Sequence, residues 1–438
     1  MANINGNSSI KRWAMRNPTL SFLVSLKGNP RLCIYTEPLW GIPWALYAPF
    51  FSLYMFSLGL DDADIGLLIS VGLFMQMFTA LLGGIATDKL GRRLATFLAD
   101  LISWTVPVAI WAFAQDFRWF LVAAIFNSFW QVSNVSWQCL LVEDAEQDKV
   151  VQLYNLVYIS GLLAVFFAPL SAYFIGVYSL VPVMRVLFGI TFVLMTVKFV
   201  ILYVYGHETV QGTKRMAETA NVPVRRLIFE YGFVFMRIIR TPATWRVLIL
   251  ITLVSIQQMT STNFFSLYVT QDLGLPEQLL VVFPILRAAI MLVFFLGVQD
   301  RLKRFPQYVI MLVGLVLYVC GFAILVITPP ETISLLVVFT ALDACAAALF
   351  LPRRDAMVIQ NVDPGERARI MSMLTVIMLG IASPFGVIIG NLSYLNRQIP
   401  FIICIGLFVL MAIIVFWDKP VERGREDEPT PTDGQGAD

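Results

Sequence analysis

Long apolar runs alternate with short polar breaks along this chain. The runs fall at about 33–58, 64–86, 94–114, 118–142, 150–177, 180–205, 246–270, 275–298, 305–327, 332–351, 370–394 and 398–417. Each is long enough for a helix that crosses a bilayer, which takes about 20 apolar residues. Strands of a membrane barrel would alternate in polarity over about ten residues, and these runs are longer and more uniformly apolar. The pattern predicts an all-α membrane protein with twelve transmembrane helices. A polar stretch, 206–243, separates the sixth run from the seventh. The tail after Pro420 is charged and rich in Pro and Gly, a composition expected to stay disordered.

Composition sharpens this. Of 438 residues, 58% are hydrophobic and 14% charged, against about 45–50% and about 25% in soluble domains. A soluble globular enzyme is excluded, and so is a disulfide scaffold. The five cysteines, Cys33, Cys139, Cys320, Cys345 and Cys404, sit in or beside apolar runs and read as small core residues. His207 is the single histidine, so no metal site or histidine proton relay is expected. No phosphate-binding loop pattern is visible, so neither ATP drive nor any other cofactor is expected. A net charge of +2 gives no reason to expect nucleic acid as a partner.

Charge placement sets the predicted orientation. One side of the predicted membrane receives Lys11, Arg12, Arg16, Lys27 and Arg31, then Lys89, Arg92 and Arg93, the stretch from Lys214 to Arg246, Arg301 to Arg304, and Arg353 to Arg369. The other side receives only Arg118 and Arg397. By the positive-inside rule both termini are cytoplasmic, which requires an even number of spans. The chain divides into an N-terminal segment 1–32, a six-helix bundle 33–205, a linker 206–243, a second six-helix bundle 244–418 and a tail 419–438. Within the linker, Val224–Arg240 mixes basic and bulky apolar residues and reads as an interfacial helix. The halves also repeat. Pro30 matches Pro242, Asp88 matches Asp300 and Asp144 matches Asp355, at separations of 212, 212 and 211 residues. Parallel six-plus-six repeats are a transporter architecture, with the substrate near the midplane between the halves.

After the second run comes Gly84-Ile-Ala-Thr-Asp88-Lys89-Leu-Gly91-Arg92-Arg93. This resembles the signature loop of the major facilitator superfamily, G-x-x-x-D-[RK]-x-G-[RK]-[RK], and stands between the second and third spans as it does there. The resemblance covers essentially the whole chain. It implies two pseudo-symmetric six-helix bundles, the major facilitator fold, that rock around a central cavity. It also implies that Asp88 caps the helix of span eleven in the outward-facing state. Gly84 suits close helix contact, Gly91 a tight turn, and Arg92 and Arg93 a helix end and anionic lipid. A degenerate second copy, ending in Asp300, Arg301, Lys303 and Arg304, implies a weaker lock. Glu143, Asp144, Glu146 and Asp148 are candidate partners for Arg92 and Arg93, and Arg353 and Arg354 for Asp300.

Polar residues inside the spans carry the functional reading. Asn127, Gln131, Asn134 and Gln138 share one face of span four, beside Trp130 and Trp137. Such a face does not meet lipid cheaply. It lines a cavity, or it bonds to neighbouring helices as packing. In the family, spans one, four, seven and ten line the cavity, which makes this stripe the first candidate for substrate binding. Span seven carries Gln257-Gln258-Met-Thr-Ser-Thr-Asn263, similar to the hexose-contacting motif of the sugar porter subfamily. Trp40 and Trp44 in span one offer a stacking platform. Other sugar porter signatures are missing: Gly206-His207-Glu208-Thr stands where that subfamily has a Pro-Glu-Ser-type loop.

Ionisable residues in spans are costly and mark function. Arg287 in span eight and Asp343 in span ten lie at matching depths, and we expect them to pair, either as a proton-sensitive switch or as a static packing pair. Glu37 in span one is a further candidate for proton or substrate contact. Asp100 is expected to meet the cytoplasmic arginines, and Arg185 and Lys198 to snorkel to opposite faces. Together these residues predict a secondary transporter in the plasma membrane that is not an enzyme. The expected partners are a small-molecule solute, protons and membrane lipid, and the chain is expected to act as a monomer. The leading expectation is uptake of a sugar or glycoside. The alternatives are efflux of amphipathic drugs and a polytopic sensor that transports nothing.

Overall fold

The protein is described here by a computed structural model covering residues 18–146, 149–227, 238, 242–294, 298–302, 304–360 and 367–417. Most of the expected interfacial helix over 224–240, the tail 419–438, Asp148, Lys303 and the Asp300 side chain lie outside the described residues. Among the described residues all regular structure is helical. The chain forms twelve transmembrane helices in two pseudo-symmetric bundles of six. Nine of them, among the described residues, are single stretches long and apolar enough to cross a membrane. Of the other three, spans one and four are interrupted, and span eight is described only in part.

Each interruption has a local cause. Span one is built from Gly28–Thr36, Pro38–Tyr47, a tight turn Ala48–Phe50 and Phe51–Ser57. Pro38, Pro43 and Pro49 each remove a backbone donor from the ladder. Span eight starts as a 3-10 turn, Glu277–Val281, after Pro276 and continues as Val282–Val293. Span four is Phe117–Asn127 followed by Trp130–Val142. At its break the Ser128 carbonyl keeps only a long backbone bond from Gln131, 3.3 Å, and Thr79 of span two (Asp62–Leu90) donates its hydroxyl to that oxygen at 2.6 Å. Span three, Arg92–Phe113, holds a π turn at Leu101–Thr105. There the Asn127 amide donates to the Ser103 carbonyl at 2.8 Å. In hydrocarbon a freed carbonyl needs a partner within the protein, and these side chains supply it.

The halves meet chiefly along span two and span eleven (Arg367–Leu395). Gly66 faces Gly386 and Gly390 so closely that a Cβ on Gly66 would lie 2.4 Å from the Gly386 carbonyl oxygen. The Ser70 hydroxyl donates to the Ser383 carbonyl and accepts from the Val387 amide. Those two groups stand four residues apart on span eleven, the spacing of a helical hydrogen bond. At the end of this seam, on the face away from the signature loop, Asp62 is buried. It accepts from the Ser393 hydroxyl and from Arg397, whose Nη2 lies 2.9 Å away. Arg397 also reaches Asp272 at 3.0 Å and stacks 5.2 Å over Phe56. One arginine thus ties together spans two, seven and eleven. Toward the signature-loop face a cavity of about 910 Å³ opens between spans five, eight and ten, bordered by Asn155, Tyr158, Met291 and Arg354.

Arg397 is therefore a latch on the closed face. Hydrogen bonds to charged groups contribute about 1.5–3 kcal/mol, and 1.4 kcal/mol is about a tenfold change in an equilibrium. In a background without the native cysteines, Thr262→Cys is expected to react about tenfold faster with an impermeant maleimide from that face once Arg397→Ala is added. An unchanged labelling rate would show that the latch does not hold the face shut.

Candidate functional site

The signature loop folds into a compact ionic knot. Gly91 turns the chain with φ of +81°, and a Cβ there would strike the Glu208 carboxylate. Arg92 is buried, not turned to lipid. Its Nη1 lies 3.2 Å from Asp88 and its Nε 3.0 Å from Glu143. Arg93 donates to the Tyr203 carbonyl at 2.7 Å and covers the Tyr203 ring at 4.5 Å. Glu208 accepts from the backbone amides of Arg92 and Arg93, where the start of span three carries partial positive charge. The linker helix Val210–Thr219 docks here: Arg215 bonds Asp88 at 2.8 Å and Lys89 donates to the Thr219 carbonyl. That hydrogen bond from Arg215 to Asp88 holds the guanidinium above its usual range.

The span-eleven cap expected of Asp88 belongs to the outward-facing state; here Arg92 and Arg215, in the N-terminal half and its linker, take its carboxylate. The halves are seamed at the opposite face, so this end of span two is free to close on its own half. Beside it the buried Gly83 lies close to the backbone of Gln131 and Val132, and Gly84 is half-buried. In the second copy Arg304 is exposed, Arg353 donates to the Leu349 carbonyl and Arg354 pairs with Asp355. Glu208 is a residue that sequence reading missed. Its signal was present, because the Gly206-His207-Glu208 stretch stood out at the end of span six.

Two cavities lie between the halves near mid-depth. The first, about 340 Å³, is walled by Trp40 and Trp44 of span one, Phe283 and Arg287 of span eight, and Phe339 and Asp343 of span ten. Trp40 and Trp44 stack at 5.8 Å, and Trp104, which sequence reading did not single out, meets both edge-on. Arg287 and Asp343 do pair, Nη1 to Oδ2 at 3.1 Å, with unequal exposure: 39% of the arginine side chain against 9% of the aspartate. The second cavity, about 390 Å³, is bordered by Gln76, Asn127, Gln258 and Asn263. Thr262 borders both.

The amide stripe of span four is divided. Asn127 reaches the second cavity while its amide holds the π turn of span three. Gln131 is buried and donates to Gln76 at 3.2 Å. Gln138 donates to Asn134 on its own helix at 3.0 Å. Gln257 is buried and donates to Ser261, whereas Gln258 is exposed to the second cavity. Asn263 donates to the Met259 carbonyl. Gln131, Asn134, Trp137, Gln138 and Gln257 border neither of these two cavities. Of these amides, Asn127 and Gln131 bond to neighbouring helices, whereas Gln138, Gln257 and Asn263 bond on their own.

A second buried ionic group lies within the N-terminal bundle. Lys198 does not snorkel; it is buried and meets Glu37 at 2.8 Å. Glu37 sits at the first break of span one and borders neither cavity. Asp100, also buried, lies within the field of Lys198 and Glu37 and, among the described residues, forms no ion pair with the arginines at the face. The Lys198 ammonium lies 5.8 Å from the Trp40 ring and 5.6 Å from the Trp137 ring. Spans one, three, four and six are thus tied through one lysine, with Trp40 linking that tie to the cavity wall. Removing one partner of a buried pair costs about 3–5 kcal/mol. Lys198→Met is expected to lower stability by about that amount, read as a shift in the denaturation midpoint of the detergent-solubilised protein. Adding Glu37→Gln and Asp100→Asn should restore part of it, and an unshifted midpoint in Lys198→Met would deny the tie a structural role.

No curated protein matches the chain. Among solved structures it is similar to the nucleoside transporter NupG, with a TM-score of 0.69 at 16% identity over 89% of this chain and 99% of that one. It is also similar to a POT family transporter in complex with 5-aminolevulinic acid, with a TM-score of 0.67 at 12% identity over 89% and 95%. A peptide transporter POT in complex with sulfate gives a TM-score of 0.65 at 15% identity over 92% and 98%. At such identities the likeness is one of fold. The family model described as Major Facilitator Superfamily matches residues 40–340 and 310–435. With its paired six-helix bundles and its knotted Asp88 loop, the chain belongs to the Major Facilitator Superfamily.

Proposed function

We propose that the protein moves a small organic solute across the plasma membrane by alternating access, coupled to protons. The observation that carries this reading is the Arg287–Asp343 pair, set in a mid-depth cavity between the halves. An ion pair inside a membrane is costly and marks function. Protonation of Asp343 releases Arg287 for the solute, and loss of the proton draws it back. The basic loops support a cytoplasmic signature-loop face. On that orientation the Arg397 latch closes the outer face, and the described state faces inward.

Amides around the second cavity suit a hydroxylated solute, which supports uptake of a sugar or glycoside. Tryptophan and phenylalanine around the first suit an amphipathic body, which supports efflux as the second reading. Radiolabelled sugar uptake beside dye efflux in cells separates the two directions, and movement of no solute at all would favour the sensor. In proteoliposomes, Asp343→Asn is expected to abolish accumulation driven by a pH gradient while solute exchange persists. Unchanged pH-driven accumulation in that variant would remove Asp343 from the coupling.

A further inference from the structure

We propose that the first cavity binds an organic monocarboxylate, with its carboxylate on Arg287 and its body against Trp40 and Trp44. One proton on Asp343 accompanies each molecule. This rests on the transport reading above and names the solute class for it.

The argument starts from the unequal exposure of the pair. Asp343 is withdrawn into the wall at 9% exposure, whereas 39% of the Arg287 side chain stays exposed to the cavity. An ion pair made only for packing gains nothing by presenting its cation to an otherwise uncharged chamber. Apart from the indole N–H groups of Trp40 and Trp44, the remaining polar side chains are hydroxyls: Ser261, Thr262, Ser266 and Thr340. Those groups and aromatic rings would serve a neutral amphipath without any arginine. A guanidinium fork is the group that matches a planar carboxylate with two parallel hydrogen bonds.

Charge fixes the class further. The pair is neutral by itself. A carboxylate on Arg287 leaves one negative charge too many in a low-dielectric site, and one proton on Asp343 removes it. A dianion such as a phosphate ester would leave a charge uncompensated. The other titratable groups that face the pair are the phenols of Tyr158 on span five and Tyr318 on span nine, with Arg354 of span ten near Tyr318. Spans one and seven contribute tryptophans, Phe265 and hydroxyls to the same cavity. Transport is then electroneutral, one proton with one carboxylate.

The test uses the purified full chain in proteoliposomes, with empty liposomes subtracted and matched solutes that differ in the carboxylate. These are glucuronate with glucose, and 4-hydroxyphenylacetate with 4-hydroxyphenylethanol. At least one carboxylate is expected to accumulate with an inward proton gradient, with no response to a clamped voltage, while its neutral partner does not. Arg287→Gln combined with Asp343→Asn keeps the site neutral and close in size, so it guards against misfolding. It is expected to lose carboxylate uptake by about thirtyfold or more. If a neutral solute moves and its carboxylate does not, transport stands and the carboxylate assignment falls. If carboxylate uptake follows voltage, or survives in the double variant, the assignment also falls. If no solute moves, the assignment and the transport reading fall together.

Discussion

Hydrocarbon offers no partner to a charge or to a freed backbone carbonyl, so each has to be answered from within the chain. That constraint organises this molecule. Besides the knot at the signature loop, three ion pairs lie at different depths among the described residues: Arg397 with Asp62 at the opposite face, Arg287 with Asp343 at mid-depth, and Lys198 with Glu37 in the half nearer the signature loop. The first joins the two bundles, the second faces the space between them, and the third lies inside one bundle. Each position has its own mechanical meaning. A tie across the seam must break for the halves to move, whereas a tie inside a bundle lets that bundle move as a body.

The same constraint explains the polar residues that hold no charge. Broken spans give the cavity its shape, since a straight helix leaves little room for side chains to converge. Every break frees backbone groups. Thr79 answers Ser128, and Asn127 answers Ser103. Amides and hydroxyls that resemble a solute-binding stripe are therefore partly structural, and the remainder near the solute path is smaller and more aromatic.

Much of the architecture was legible in the sequence. Run lengths marked the spans, and the spacing of Pro30, Asp88 and Asp144 against their counterparts marked the repeat. Equal depth marked the pairing of Arg287 with Asp343. Depth is a property of a single helix and can be read from position alone. Which helices touch is not, and the misreadings arose there. Lys198 lies near enough to the end of span six to snorkel, and only the packing of span six on span one shows that Glu37 is the better partner. Asp100 stands close to Arg92 in sequence, yet the turn of span three points it inward. Arg397 was visible as one of two basic residues on a sparsely charged face, but its partners come from distant parts of the chain. The amides on span four shared a face as read; periodicity does not tell which of them find partners on their own helix.

The Ser70 bridge has a consequence for how the halves part. While they are together, one hydroxyl of span two stands between the Val387 amide and the Ser383 carbonyl of span eleven. When span two withdraws, those two groups are one helical turn apart and able to bond each other. Separation then leaves neither backbone group orphaned. Span eleven thus carries a self-healing joint, and the seam can open and reseal without leaving backbone defects.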